Sequence, residues 1–222
     1  MPEGDEQGPR AETFGYLCRR CLRCCHDKHI QLNPYEVARL ARNRGVSTTG
    51  LRRDFTVDGA GVALAQTKDG ACVFLTPEGC GVHPDRPLVC RLYPLGRHVS
   101  WDGIERFSHV EPHPRSAGEL TGRGTVGQFL DEQGAEPFIR AADEYLAWVN
   151  RALEDAPEAA ELLRDKRVSP PPLDETDLLD MDAAATAYGG VSPPEDLEAR
   201  RALHLGILYA QLSNQEEHHH EQ

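Results

Sequence analysis

A chain of 222 residues at 39% hydrophobic composition can bury one modest core, which points to one domain with helical appendages rather than two full domains. Its formal net charge of -12 repels polyphosphate backbones, so nucleic acid ranks low among the expected partners. The acidic, polar start lacks the basic and apolar segments of a leader, and no run of apolar residues is long enough to span a bilayer, so a cytoplasmic protein that stays off the membrane is expected.

Residues 1–9 mix Pro, Gly and acidic side chains without apolar periodicity and read as a disordered tail. Asn33, Pro34 and Glu36 supply a cap, a first-turn proline and a capping-box glutamate, which predicts a helix over 34–42 that stops at Gly45. Val37, Leu40 and Ala41 form its buried stripe, while Arg39, Arg42 and Arg44 face water and suit the negative end of the helix dipole. Short β-prone runs at 55–57, 62–66 and 72–75, separated by Asp58-Gly59 and Asp69-Gly70, predict a small antiparallel sheet. A second hairpin signal lies at Asp102-Gly103, flanked by 97–100 and 105–110.

Helical patterns follow at 126–133 and from Pro137 onward, where Phe138, Ala142, Leu146, Val149 and Leu153 share one face. That second helix is expected to pack over the cysteine-bearing core. Residues 156–193, with Ser169-Pro170-Pro171-Pro172 and Gly189-Gly190, read as an extended connector, and a last helix is expected over 194–213, before a polar His/Glu tail at 214–222.

The informative stretch is Cys18-Arg19-Arg20-Cys21-Leu22-Arg23-Cys24-Cys25, a C-x2-C-x2-C-C run. Two-residue spacers let successive thiolates turn toward one ion or cluster, as in zinc sites and ferredoxins. Arg19, Arg20 and Arg23 interleave with the thiols, so no helix or strand would bury these cysteines on one apolar face, and the basic neighbours favour the thiolate. A second group comprises Cys72, Cys80 between two glycines, and Cys90 after the proline-stiffened turn at Pro84 and Pro87. Seven cysteines cannot all pair with one another, and a reducing cytosol disfavours disulfides, which leaves metal ligation or redox chemistry. All seven are therefore candidate metal ligands.

The Cys18–Cys25 run, the Cys-x-Phe-Leu element at Cys72, Cys80, and the Arg-Pro-x-x-Cys-Arg-x-Tyr-Pro signature from Arg86 to Pro94 together resemble the YkgJ family of zinc- or iron-chelating CxxCxxCC domains. The cysteine motif also resembles that of flagellin lysine N-methylases. The resemblance covers roughly residues 14–110, and it departs from the family at Arg23, where members often carry Gly. It implies a metal-centred domain, here over residues 10–115, and the apolar periodicity beyond it makes 116–155 a helical extension. The fold class expected is α+β: a small cysteine-rich domain with short antiparallel strands and peripheral helices.

Zinc would take four of the thiolates, or form two sites if His26, His29 or His83 completed the second. A 4Fe-4S cluster would take four cysteines and leave the others as supporting or redox-active thiols. The ferredoxin-like spacing of the first three favours an iron-sulfur cluster, with zinc as the alternative, although adjacent residues such as Cys24 and Cys25 rarely both point at one ion. The corresponding roles are electron transfer, metal handling or a structural site, with an unidentified protein partner. The methylase likeness implies, as the alternative, an enzyme acting on protein lysine. No G-x-G-x-x-G, Walker loop or G-x-S-x-G occurs in the sequence. Nor is there the C-x3-C-x2-C motif of radical enzymes, since Lys28 stands where the third cysteine would be. Asp85, Arg86, Arg91 and Tyr93 are the polar residues beside the second cysteine group, with Arg86 and Arg91 expected to brace the loop through backbone carbonyls.

Overall fold

The computed structural model of the chain describes residues 8–59, 61–154 and 178–220. In chain order the strands are β1 (Tyr16–Leu17), β2 (Gln31–Leu32), β3 (Thr56–Gly59), β4 (Gly61–Leu64), β5 (Leu75–Thr76), β6 (Gly79–Cys80), β7 (Leu95–Val99), β8 (Glu105–His109) and β9 (Glu119–Leu120). The α-helices are α1 (Pro34–Arg44), α2 (Thr48–Phe55), α3 (Leu88–Leu92), α4 (Val126–Glu132), α5 (Glu136–Glu154), α6 (Met181–Ala187) and α7 (Leu197–His220). The fold class is α+β, with every strand pair antiparallel. Among the described residues, no helix is long and apolar enough to cross a membrane. The chain divides into two compact units, one of residues 1–30 and 66–139, the other of residues 31–65 and 140–222.

The first unit carries all seven cysteines. Its core is Phe14, Leu92, Leu95, Val126, Phe129, Leu130, Ala135 and Ile139, flanked by Tyr16, Leu88 and Phe107. Phe14 sits edge-on to Phe129 at 4.8 Å between ring centroids, a geometry that places ring hydrogens against a π-face. The hairpin expected around Asp102-Gly103 forms from β7 and β8, with Leu95 opposite His109 and Val99 opposite Glu105. Helix α4 starts as the pattern predicts, with Thr125 accepting from the Gln128 amide and Gln128 reaching back to the Thr125 amide. Among the described residues the unit has no extended sheet: β1 pairs with β9 alone, and β5 with β6 alone.

In the second unit, α1 begins with the capping box. Asn33 Oδ1 accepts from the Glu36 amide and Glu36 Oε2 from the Asn33 amide, both at 3.0 Å, and Gly45 closes the helix in the left-handed conformation at φ 68°. Helix α1 packs on α2 and on α7, and α2 packs on α6. Tyr35, Leu40, Leu51 and Leu208 are fully buried, each burial contributing about 1.5–3 kcal/mol before the entropy of ordering is counted. Buried His204 is polar but satisfied: its Nε2–H donates to the Leu178 carbonyl at 2.7 Å, which leaves Nδ1 to accept from the Tyr145 hydroxyl at 2.8 Å.

Several sequence expectations change. The runs at 55–57, 62–66 and 72–75 do not form one sheet: β3 pairs with β4, and β4 with β2, in the second unit, while Cys72 lies in the first. Phe55 ends α2, a helix whose Thr48, Thr49 and Gly50 are poor helix formers and whose start depends on the Ser47 cap. Asp58 and Gly59 are strand residues opposite Val62 and Gly61, not the turn itself. On α5 the period is right and the phase is rotated: Phe138, Ala141, Tyr145 and Trp148 are buried, because the two aromatics have the most apolar surface to remove from water. Of its expected face only Phe138 belongs to the cysteine-bearing unit. Arg39 does not simply face water, since it donates to the Tyr35 hydroxyl at 3.0 Å. Met181–Ala187 is helical where an extended connector is expected, and α7 continues to His220. Of the tail expected over 1–9, residues 1–7 lie outside the described residues while Pro9 opens a 3-10 turn, Pro9–Ala11, and of the connector expected over 156–193, residues 156–177 lie outside them.

Candidate metal centre

Strand β1 delivers Cys18 to an exposed loop that turns three times before β2. Each turn uses a non-glycine residue in the left-handed region, Arg20 at φ 49°, Leu22 at 65° and Asp27 at 54°. Such a conformation costs about 1–2 kcal/mol per residue, so the loop stores strain that its hydrogen bonds offset. Cys24 and Cys25 lie in one 3-10 turn, Arg23–Cys25, closed by the Cys25 amide on the Leu22 carbonyl at 3.1 Å. The left-handed residue is Leu22, so the arginine at position 23 occupies a position that does not require glycine.

The second cysteine group is brought to the first by backbone pairing. The Cys72 amide donates to the Cys25 carbonyl at 2.9 Å, the Asp27 amide donates to Gly70 at 2.8 Å, and His26 bridges Ala71 between them. Gly70 is required here: its φ is +81°, and a Cβ would fall 2.1 Å from Asp27 Oδ1. From Cys72 the chain enters the β5–β6 hairpin, which sets Cys80 opposite Leu75. Gly79, beside Cys80, lies against the Leu22 side chain, so the hairpin abuts the first loop. Cys90 stands exposed on α3, which begins after Pro87.

Polar groups address the sulfurs directly. The Arg20 amide donates to Cys18 Sγ and the Ala117 amide to Cys21 Sγ, each at 3.4 Å, with Ser116 Oγ 3.8 Å from Cys21. Hydrogen bonds of this kind favour the thiolate over the thiol. Backbone amides of Arg23 and Ala117 thereby hold the Cys21 thiol below its ordinary value. Cys24 is drawn down to about 6, first by a hydrogen bond from Cys25 and then by its own amide and the charges of Lys28 and His26. Cys25, the donor, moves up for the same reason, reinforced by burial and by the charges of Cys24, Cys80 and Cys90. Burial, joined by the charge of Cys80, raises Cys72.

Through these interactions Cys21, Cys24, Cys25, Cys72, Cys80 and Cys90 fall within electrostatic reach of one another in succession. The Arg86 charge joins Cys18 to Cys80 and Cys90. None of the seven cysteines is joined to another in a disulfide. Among the described residues, no three His, Cys, Asp or Glu side chains close into a group that could hold one ion as placed. The donor chemistry nevertheless fits zinc or iron: soft thiolates, N–H groups aimed at sulfur, and cationic neighbours.

The polar residues beside the cysteines do what the sequence suggests for two of them. Arg91 donates to the carbonyls of Gln133 at 2.6 Å and Pro84 at 2.7 Å, with its guanidinium 4.1 Å above the Phe138 ring. Arg86 donates to the His83 carbonyl at 2.7 Å and to Gln133 Oε1 at 2.8 Å. The Tyr93 hydroxyl accepts from the His113 amide at 2.9 Å, anchoring the segment that carries Ser116 and Ala117. Asp85 is buried. Of the histidines, His29 is exposed, and His26 Nδ1 is 3.3 Å from the Leu22 carbonyl. His83 is held toward its neutral form by burial first, then by the charges of Arg86, Arg20 and Arg91. Sequence reading missed Ser116, Ala117 and Gln133, which come to the site from more than forty residues away in the chain and carry no local pattern.

A pair of cysteine-bearing loops, tied by backbone hydrogen bonds and surrounded by donors to sulfur, defines the class of a thiolate metal-binding domain. Residues 17–111 match the model of the CxxCxxCC family, described as a "Putative zinc- or iron-chelating domain". No curated protein and no solved structure is significantly similar to the chain.

Proposed function

We propose that this chain holds an iron-sulfur cluster on thiolates drawn from both cysteine groups, serving electron transfer or cluster handling in the cytoplasm with a protein partner. The observation that carries the reading is the pairing of the Cys25–Asp27 backbone with Gly70–Cys72, which sets one cysteine group beside the other with no disulfide between them. Zinc and a 4Fe-4S cluster would each take four of the seven thiols, and the ferredoxin-like two-residue spacing of Cys18, Cys21 and Cys24 is what favours the cluster. Cys18, Cys21, Cys24, Cys25, Cys72, Cys80 and Cys90 are the residues from which the ligands come.

When bound, a cluster of this class supplies one-electron chemistry. The chain's own part is to present thiolates, to direct the Arg20 and Ala117 amides at Cys18 and Cys21, and to place cationic side chains beside the sulfurs. N–H donors to sulfur and nearby positive charge are the means by which a protein tunes such a centre.

The test is iron, zinc and acid-labile sulfide content with a visible spectrum, on protein purified without oxygen. Iron and sulfide together with a broad visible absorption support the reading. One zinc per chain in a colourless solution contradicts it and assigns the same thiolates to a zinc site. Methyl transfer to a lysine-bearing protein from S-adenosylmethionine would instead favour the enzyme suggested by the methylase likeness.

A further inference from the structure

Cys21 is reached by two donors from a distant segment of the chain. Ser116 Oγ lies 3.8 Å from Cys21 Sγ, within the range of a hydrogen bond to sulfur, and the amide of the next residue, Ala117, donates to the same sulfur at 3.4 Å. Behind Ser116 stands Tyr16, whose hydroxyl oxygen is 3.2 Å from Ser116 Oγ. The three groups form a chain, and the direction of its protons follows from what each can offer. A sulfur bound to metal is a thiolate and can only accept. The Ser116 hydroxyl has one proton and two lone pairs. With its proton directed at Cys21, it accepts from the Gly118 amide at 3.1 Å, and its second lone pair takes the Tyr16 proton.

The surroundings hold this chain in place. Pairing of β1 with β9 sets Tyr16 opposite Leu120, and the Tyr16 ring lies over Gly118, where a Cβ would overlap its hydroxyl end. The turn that carries Ser116 is closed by the Ser116 amide on the His113 carbonyl at 2.6 Å, and the His113 amide in turn donates to the Tyr93 hydroxyl. Tyr93 stands edge-on to Tyr16 at 6.4 Å between ring centroids, so the two tyrosines grip the same turn. We infer that Tyr16 and Ser116 are positioning residues of the metal centre: Tyr16 fixes the Ser116 hydroxyl so that its proton points at Cys21, which makes an electron harder to withdraw from that sulfur. This deepens the metal-centre reading and rests on it, with Cys21 among the ligands.

Cobalt(II) is the probe, because sulfur-to-cobalt charge-transfer bands report both binding and how tightly the sulfurs hold their electrons, whichever metal the protein normally carries. Metal-free wild type, Tyr16→Phe, Ser116→Ala, Ser116→Thr, Cys21→Ser and the Tyr16→Phe/Ser116→Ala double variant are titrated without oxygen, with circular dichroism of each as the check on folding. Loss of a group that orients a metal ligand typically weakens affinity by about 10–100-fold, and a loss in that range is expected for Ser116→Ala, with the bands moved to longer wavelength. Tyr16→Phe, which keeps the ring, should move them the same way by less, and Ser116→Thr, which keeps the hydroxyl, should stay near wild type. The double variant should match Ser116→Ala, because Tyr16 acts through Ser116. Unmoved bands in either single variant, Tyr16→Phe or Ser116→Ala, overturn the inference, as does a Tyr16→Phe effect of the same size with and without Ser116, the signature of packing alone. Cys21→Ser with the wild-type spectrum also overturns it, by removing Cys21 from the ligand set. Wild type that shows no charge-transfer band overturns the metal-centre reading and this inference together, which distinguishes that failure from the others.

Discussion

In the second unit, helix caps and apolar stripes hold the chain. Asn33 and Glu36 close the start of α1, Leu40, Leu51 and Leu208 are removed from water, and the deeply buried His204 has both ring nitrogens satisfied. The cysteine-bearing unit has a core of its own around Phe14 and Phe129, but the segments that carry its thiols are two-residue strands, 3-10 turns and left-handed residues. Hydrophobic burial suffices to specify the first kind of structure. The second kind gains little from burial, so its order depends on backbone pairing and, in this account, on what the thiolates bind.

The sharpest way to break that contrast is to remove the metal ligands. Replacing Cys21 or Cys24 with Ser should abolish bound metal and destabilise residues 8–30 and 66–139, since binding and folding are coupled in small thiolate sites and apparent binding energies there are on the order of 10 kcal/mol. Metal content and hydrogen exchange check this together, and a variant that keeps its metal and its melting temperature removes that cysteine from the ligand set. In the other unit, Leu208→Ala should cost about 2–5 kcal/mol in denaturant unfolding while leaving metal content per folded chain unchanged.

Acid should also act on the second unit through His204. Burial holds this histidine neutral and lowers its pKa, only partly opposed by the Leu178 carbonyl and by Asp180. The unfolded chain takes up the proton near pH 6.5 and the folded chain only at lower pH. The histidine's contribution is thus complete above about 6.5 and declines as pH falls from there through the folded value. Melting temperatures between pH 8 and pH 5 should show the decline, and His204→Gln should flatten it. The smallest effect belongs to the α1 cap: Asn33→Ala loses the bond to the Glu36 amide and should cost about 1 kcal/mol.

The same contrast governs what could be read from the sequence. Helix α1, the hairpin at Asp102-Gly103 and the starts of α4 and α5 were legible because caps, turn residues and a 3.6-residue period are local signals. Helix α2 was not, since its first turn is Thr-Thr-Gly, and α6 was masked by the proline- and glycine-containing residues around it despite the Asp180 cap. The phase of α5 escaped because Tyr145 and Trp148 displaced the smaller aliphatic residues from the core. At the candidate centre the cysteines announced themselves by spacing and by the arginines among them. The pairing of Cys25 with Cys72, the amide of Ala117 on Cys21 and the grip of Gln133 on Arg86 join distant segments, and no local pattern encodes such contacts.

The central claim is that thiols from residues 18–25 and from residues 72–90 share one metal centre. Differential alkylation tests it most directly: exposed thiols are capped in the metal-loaded protein, the metal is removed, and newly released thiols are tagged and assigned by peptide mass. The account predicts that the protected set contains cysteines from both groups and that all of them are released together by chelation. Protection confined to one group, or no protection at all, would contradict it.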